Sequence, residues 1–89
     1  MKIKLELFGA SRDFSDKDHL ELNVKDKASV DDLRNEIIKY LDKNFKGNES
    51  FIKVVKSSAF CSENNEIIGD NYKITKDQKI GIIPPIGGG

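Results

Sequence analysis

The stretch from Ser29 to Lys43 constrains this chain more than any other. Val30, Leu33, Ile37, Tyr40 and Leu41 recur at helical spacing with charged residues between them, which predicts a helix over about 30–43 with one apolar face. Ser29, with Asp32 three positions on, reads as a capping box that uses Asp in place of Glu. Asp31 and Asp32 open the helix and Lys39 and Lys43 lie toward its end, as the helix dipole prefers. The helix should stop near Asn44 to Gly47. One such helix covers only one face of a sheet, so a two-layer α+β domain is expected.

The flanking segments supply that sheet. Ile3, Leu5 and Leu7 alternate with Lys2, Lys4 and Glu6, the period of a half-buried strand. Phe8 then falls on the polar face, and Gly9 to Asp13 has loop chemistry. Leu20, Leu22 and Val24 form the core face of a second strand, which gives an antiparallel hairpin with a longish connection. Residues 51–61 are apolar-rich but longer than a usual strand of about 5–6 residues. They divide at Lys56 to Ser58, leaving Ala59-Phe60-Cys61 as a strand, while periodicity leaves Phe51 to Val55 open between strand and helical turn. Glu66 to Ile68 reads as a short edge segment before a turn at Gly69 to Asn71. Lys79 to Ile83 is a last strand that Pro84-Pro85 must terminate, because proline donates nothing to a ladder. The expected order is β-β-α-β-(β)-β, a mixed sheet of four to five strands in one domain over residues 1–83, followed by a tail over 84–89.

A chain of 89 residues has one modest core, with only about 60% or slightly more of its unfolded surface buried, and little room for a deep catalytic pocket. Fifteen basic residues balance fifteen acidic ones. Such a balance exerts no long-range pull on nucleic acid or an anionic membrane, so a protein partner is expected. The single Cys61 excludes an internal disulfide framework. No apolar run approaches the roughly 20 residues that span a bilayer. The N-terminal residues lack the apolar run of a signal peptide, so the cytosol is the expected compartment.

The tail, Pro84-Pro85-Ile86-Gly87-Gly88-Gly89, has a chemistry of its own. The prolines stiffen the backbone near polyproline geometry. The glycines lack side chains and can pass through a channel too narrow for a Cβ. Fully extended, Pro85 to Gly89 reaches about 16–18 Å at ~3.3–3.6 Å per residue, enough to carry a terminal carboxylate into another protein.

Three segments resemble the ubiquitin-like sulfur carriers, and within them the molybdopterin synthase small-subunit branch. They are Leu7-Phe8-Gly9-Ala10-Ser11-Arg12-Asp13 after the first strand, Ser29-Val30 with Leu33 at the helix entry, and Pro84-Pro85 followed by Gly88-Gly89. A bare Gly-Gly end is shared by many ubiquitin-like proteins, and the proline pair points to the molybdopterin branch. The chain departs from the pattern at Lys76-Asp77, where the family often has Gly-Asp, and at Phe60-Cys61-Ser62, where it has Val-Asn.

The resemblance implies a β-grasp fold and a carrier cycle. A ubiquitin-activating-type adenylating enzyme would use ATP to activate the Gly89 carboxylate, and a sulfur donor protein would replace AMP to leave a thiocarboxylate. The tail from Pro84 through Ile86, Gly87 and Gly88 would then enter the large catalytic subunit of molybdopterin synthase, where sulfur passes to a pterin precursor. No bound cofactor or metal is implied, and the chain has no phosphate-binding loop for ATP. First and last strands are neighbours in a β-grasp sheet, which places Phe8 and Ile83 in one apolar patch beside the tail, a docking surface for the large subunit, with Arg12 available to a partner carboxylate. Cys61 reads as a core residue and His19 as a solvated one. Other readings stay open: a carrier for thiazole synthesis or tRNA thiolation, a ubiquitin-like modifier joined to lysine, or a binding module with an inert tail.

Overall fold

In the computed structural model residues 1–85 are described. The mixed α+β architecture is as expected: a five-stranded sheet with helices on one face. Strands β1 (Lys2–Leu7) and β2 (His19–Asn23) form the antiparallel hairpin, joined through a 3₁₀ segment over Gly9–Phe14. The two-residue β3 (Ala28–Ser29) leads into α1 (Val30–Phe45). Then come α2 (Glu49–Ser57), β4 (Ala59–Cys61), β5 (Ile67–Ile68), β6 (Lys73–Ile74) and β7 (Gln78–Ile83). The sheet order is β2-β1-β7-β4-β5, with β7 parallel to β1 and antiparallel to β4. Strands β3 and β6 pair separately, a small ladder that the alternation did not reveal.

The predicted capping box is present. Asp32 N donates to Ser29 Oγ at 3.1 Å, and Ser29 N donates to Asp32 Oδ2 at 3.0 Å. Hydrogen bonding to the carboxylate from Ser29, first by its backbone N–H and then by its hydroxyl, holds Asp32 below its ordinary value of 3.8. Helix α1 ends where Lys46 turns left-handed at φ 55°. Val30, Leu33, Ile37 and Leu41 are fully buried against Ile3, Leu5, Phe60, Ile80 and Ile82 in one core.

Residues 51–55, open between strand and helical turn, are helical. Asn48 accepts a hydrogen bond from Phe51 N and caps α2, which begins immediately after the turn at Gly47. Its apolar side completes an aromatic cluster: the Phe51 ring centroid lies 5.1 Å from both Phe14 and Phe45. At the far end, Arg34 of α1 reaches under α2. Its Nη1 donates to the carbonyls of Val55 at 2.7 Å and Ser58 at 2.9 Å, and its Nη2 donates to Asp70 Oδ1 at 2.7 Å. The guanidinium also lies 4.9 Å from the Phe60 ring centroid.

Tyr40 ties α1 to the 3₁₀ segment, its hydroxyl donating to Phe14 O at 2.7 Å. Burial first, and then the charge of Asp16, raises its phenol above the ordinary 10.0. A group whose folded value is raised stabilises the fold below its unfolded value and loses that contribution as pH rises through the folded one. Denaturation midpoints should therefore fall above about pH 10, and Tyr40→Phe should remove that part of the alkaline slope. An unchanged slope in the variant would assign the alkaline loss to other groups.

Candidate functional site

The end of β7 is where the fold meets the tail. Gly9 adopts φ +55°, a left-handed turn that favours glycine, and a Cβ there would lie 3.9 Å from Pro84 Cγ. Ser11 locks this turn: Phe8 N donates to Ser11 Oγ at 2.9 Å, and the hydroxyl donates back to Phe8 O at 2.7 Å. Pro84 is buried and Pro85 exposed. Both border a groove of about 210 Å³ completed by Ala10 and by Ser50, Lys53, Val54 and Ser57 of α2. The first proline is thus a fixed root set between the 3₁₀ segment and α2, and the second is the first exposed step of the tail. Ile86, Gly87, Gly88 and Gly89, the residues given the chemistry, lie outside the described residues.

The helix-free face of the sheet has two halves. On one, Lys4 registers with Glu21 and Lys79, and Lys79 Nζ stands 3.0 Å from Glu6 Oε1. The other half is apolar. Phe8 is 44% exposed and follows β1 directly. Ile83, half-buried, pairs with the exposed Ala59, and Gly81 pairs with Cys61, which in turn pairs with Ile67, itself 68% exposed. The parallel β1–β7 pairing sets Leu7 beside Ile82, so Phe8 and Ile83 continue neighbouring strands at the end that bears the tail. Arg12 is exposed and shares a shallow pocket of about 180 Å³ with Phe8, Lys4, Glu6 and Asp18. Phe8 and Ile83 therefore sit beside the tail root, while Arg12 neighbours Phe8 on the side of Lys4, Glu6 and Asp18.

The structure refines the sequence reading of two residues. Cys61 is buried, but outside the main core: its strand neighbour Phe60 faces the helices, while the Cys61 thiol meets Gly81 and Phe8 on the helix-free face. Alternation along a strand forces this once Phe60 points inward. His19 is half-buried and its Nδ1 lies 3.0 Å from Asp18 Oδ1. That hydrogen bond is the main reason the Asp18 carboxyl sits below its ordinary value of 3.8. Sequence reasoning did not single out Gly81, although the run Ile80-Gly81-Ile82 puts a missing side chain on the helix-free face beside Phe8.

Among the described residues no three His, Cys, Asp or Glu side chains converge on a common point that would hold a metal. Nor, among them, is any helix long and apolar enough to cross a membrane.

Comparison with known proteins gives these features a family. The model described as the ThiS family matches residues 5–89. A search of curated proteins finds no match. Among solved structures, one described as molybdopterin converting factor subunit 1 from Pyrococcus furiosus superposes with a TM-score of 0.69. It is 23% identical, over 96% of this chain and 98% of that one. SAMP1 of Haloferax volcanii superposes at 0.68 with 15% identity over the whole of both chains. A ubiquitin of Caldiarchaeum subterraneum superposes at 0.61 with 19% identity, over all of this chain and 98% of that one. At these identities the structural likeness speaks for the ubiquitin-like β-grasp fold alone.

Proposed function

Because the chain belongs to the ThiS family of small ubiquitin-like sulfur carriers, we propose that it carries sulfur for molybdopterin synthase as a thiocarboxylate on Gly89. The observation that carries this reading is the tail root: a buried Pro84 at the end of the central strand, followed by an exposed Pro85, with an apolar sheet half beside it. A carrier needs its reactive end held at a fixed place yet able to leave the domain, and a binding module needs neither.

The chemistry follows from the carboxylate. Unactivated, it is a poor electrophile. Attack of a Gly89 carboxylate oxygen on the α-phosphorus of ATP, at an adenylating enzyme, releases pyrophosphate and leaves an acyl adenylate. Sulfur delivered at the sulfide level by a donor protein attacks the acyl carbon, AMP departs, and a thiocarboxylate remains. That group then acts as the sulfur nucleophile inside the large catalytic subunit of the synthase, with the pterin precursor as acceptor. The carrier contributes position and reach, while the partners supply ATP binding and acid–base groups. Phe8, Ile83 and Arg12 are the landing surface in this reading, apolar at its centre and charged at its rim, as protein interfaces commonly are. The proline pair favours the molybdopterin acceptor over a thiazole or tRNA acceptor.

The test is intact mass after incubation with ATP, the adenylating enzyme of the host and a sulfur donor. Replacement of one oxygen by sulfur, localised to Gly89 and dependent on ATP, is the expected result. An unchanged mass with a competent adenylating enzyme would overturn the carrier reading, and lysine-linked conjugates in denaturing gels would favour a modifier instead.

A further inference from the structure

We propose that Gly81 is a positioning residue for partner docking: its missing side chain lets the Phe8 ring lie down across β7, making a flat apolar platform of Phe8, Gly81, Cys61 and Ile83. This inference rests on the carrier reading for the identity of the partner. A Cβ built on Gly81 would stand 2.8 Å from Cys61 Sγ and 3.0 Å from Phe8 Cε2, with Phe8 Cδ2 at 3.7 Å. Ordinary carbon contacts lie near 3.5–4.0 Å, so both neighbours occupy the volume a side chain would need. Gly81 has no left-handed φ, so the glycine answers a packing demand and not a backbone one. The Cys61 thiol fills one side of the gap and the Phe8 ring the other, which is why Cys61 is buried on a face that carries no helix.

The platform's occupant follows from where it lies. Ile83 is part of it and directly precedes Pro84, so a protein that draws the tail into a channel must cover this face at the channel mouth. Such a partner presents a flat apolar surface beside that mouth, with polar groups opposite Lys4, Glu6 and Lys79. A raised ring would hold that surface away from the sheet and shorten the reach of the tail.

The test uses the full chain and the large catalytic subunit of molybdopterin synthase, the one partner to which this platform is assigned. In the wild-type protein the Gly81 α-protons should show an upfield ring-current shift that Phe8→Ala removes. Gly81→Ala should weaken binding by calorimetry about tenfold, the size expected for disturbing a central aromatic contact, and should speed the reaction of Cys61 with a disulfide reagent. The double variant Gly81→Ala with Cys61→Ala relieves the shorter contact but leaves the Phe8 one. Its melting temperature should recover toward wild type while its affinity stays low. Wild-type affinity in Gly81→Ala would overturn the proposal, as would recovery of affinity together with stability in the double variant. Sulfur loading of the wild-type chain, read by intact mass, reports on the carrier reading separately.

Discussion

Deletion of Gly88 and Gly89 is expected to abolish sulfur loading while leaving the melting temperature within about 2 °C of the parent chain. Every ladder, cap and core contact described above involves residues up to Pro85, so the fold loses nothing it is shown to use. Activation, in contrast, finds its reacting group displaced. The new terminal carboxylate sits on Gly87, two residues short, which is about 7 Å at roughly 3.5 Å per residue. A misplacement of even about 1 Å at a reacting centre commonly costs about a hundredfold in rate, so a gap this long should leave no measurable turnover. Pyrophosphate release and intact mass read the outcome directly. Loading at more than a few per cent of the wild-type rate would show that reach is not what the tail supplies. Restoring length with Ala-Ala in place of Gly88-Gly89 separates reach from channel width: a narrow channel keeps that variant inactive.

The largest stability loss is expected from a residue far from the tail. Arg34→Ala should destabilise the domain by about 3 kcal/mol, since hydrogen bonds from a charged donor are each worth roughly 1.5–3 kcal/mol and do not add fully. Its side chain is only 13% exposed, and it serves the Val55 and Ser58 carbonyls, Asp70 and the face of Phe60 together. Removing it takes the charged donor from the Val55 and Ser58 carbonyls and leaves Val55 O only the 3.3 Å bond from Ser58 N, with Val55 and Ser58 buried. For a chain this size a loss of that magnitude lowers the melting temperature by roughly 12–24 °C, at about 4–8 °C per kcal/mol. Arg34→Lys should recover only part, because a single ammonium cannot reproduce the planar fork. Asp70→Ala, which removes an exposed partner, should cost under about 1 kcal/mol. If thermal melts gave Arg34→Ala and Asp70→Ala equal losses, the carbonyl contacts would not be the source of the stability.

Arg34 also marks the boundary of what local pattern reveals. Within α1 it looks like any charged residue between apolar positions, and its hydrogen-bond partners lie 21 to 36 residues away. No window short enough to show periodicity contains them. Helix α1 was readable because spacing, cap and dipole all agreed within one segment. Helix α2 was not, because Phe51-Ile52-Lys53-Val54-Val55 fits both a helix face and a buried strand, and its β-branched residues favour the latter. The deciding signal was Asn48 just after Gly47, a cap that becomes convincing only when something needs covering. That something is the aromatic cluster of Phe14, Phe45 and Phe51. For the site, alternation alone turned Phe8 and Ile83 away from the core, and proline chemistry ended the sheet at Pro84. The role of Gly81 was hidden because it depends on Phe8 and Cys61 arriving beside it from two other segments.

The position of β7 has a mechanical consequence. It is the middle strand, bonded to β1 on one side and β4 on the other, and Pro84 follows it directly. A pull on the chain end along the strand axis therefore loads both ladders in shear, with many hydrogen bonds strained at once, where a pull across an edge strand would break them one after another. The domain resists a pull in that direction, the one that a partner holding the tail would apply. A carrier that is threaded into a channel and withdrawn on every cycle can thus be hauled back by its tail without unravelling, and an unfolding machine that seized the same end would meet the fold at its strongest seam.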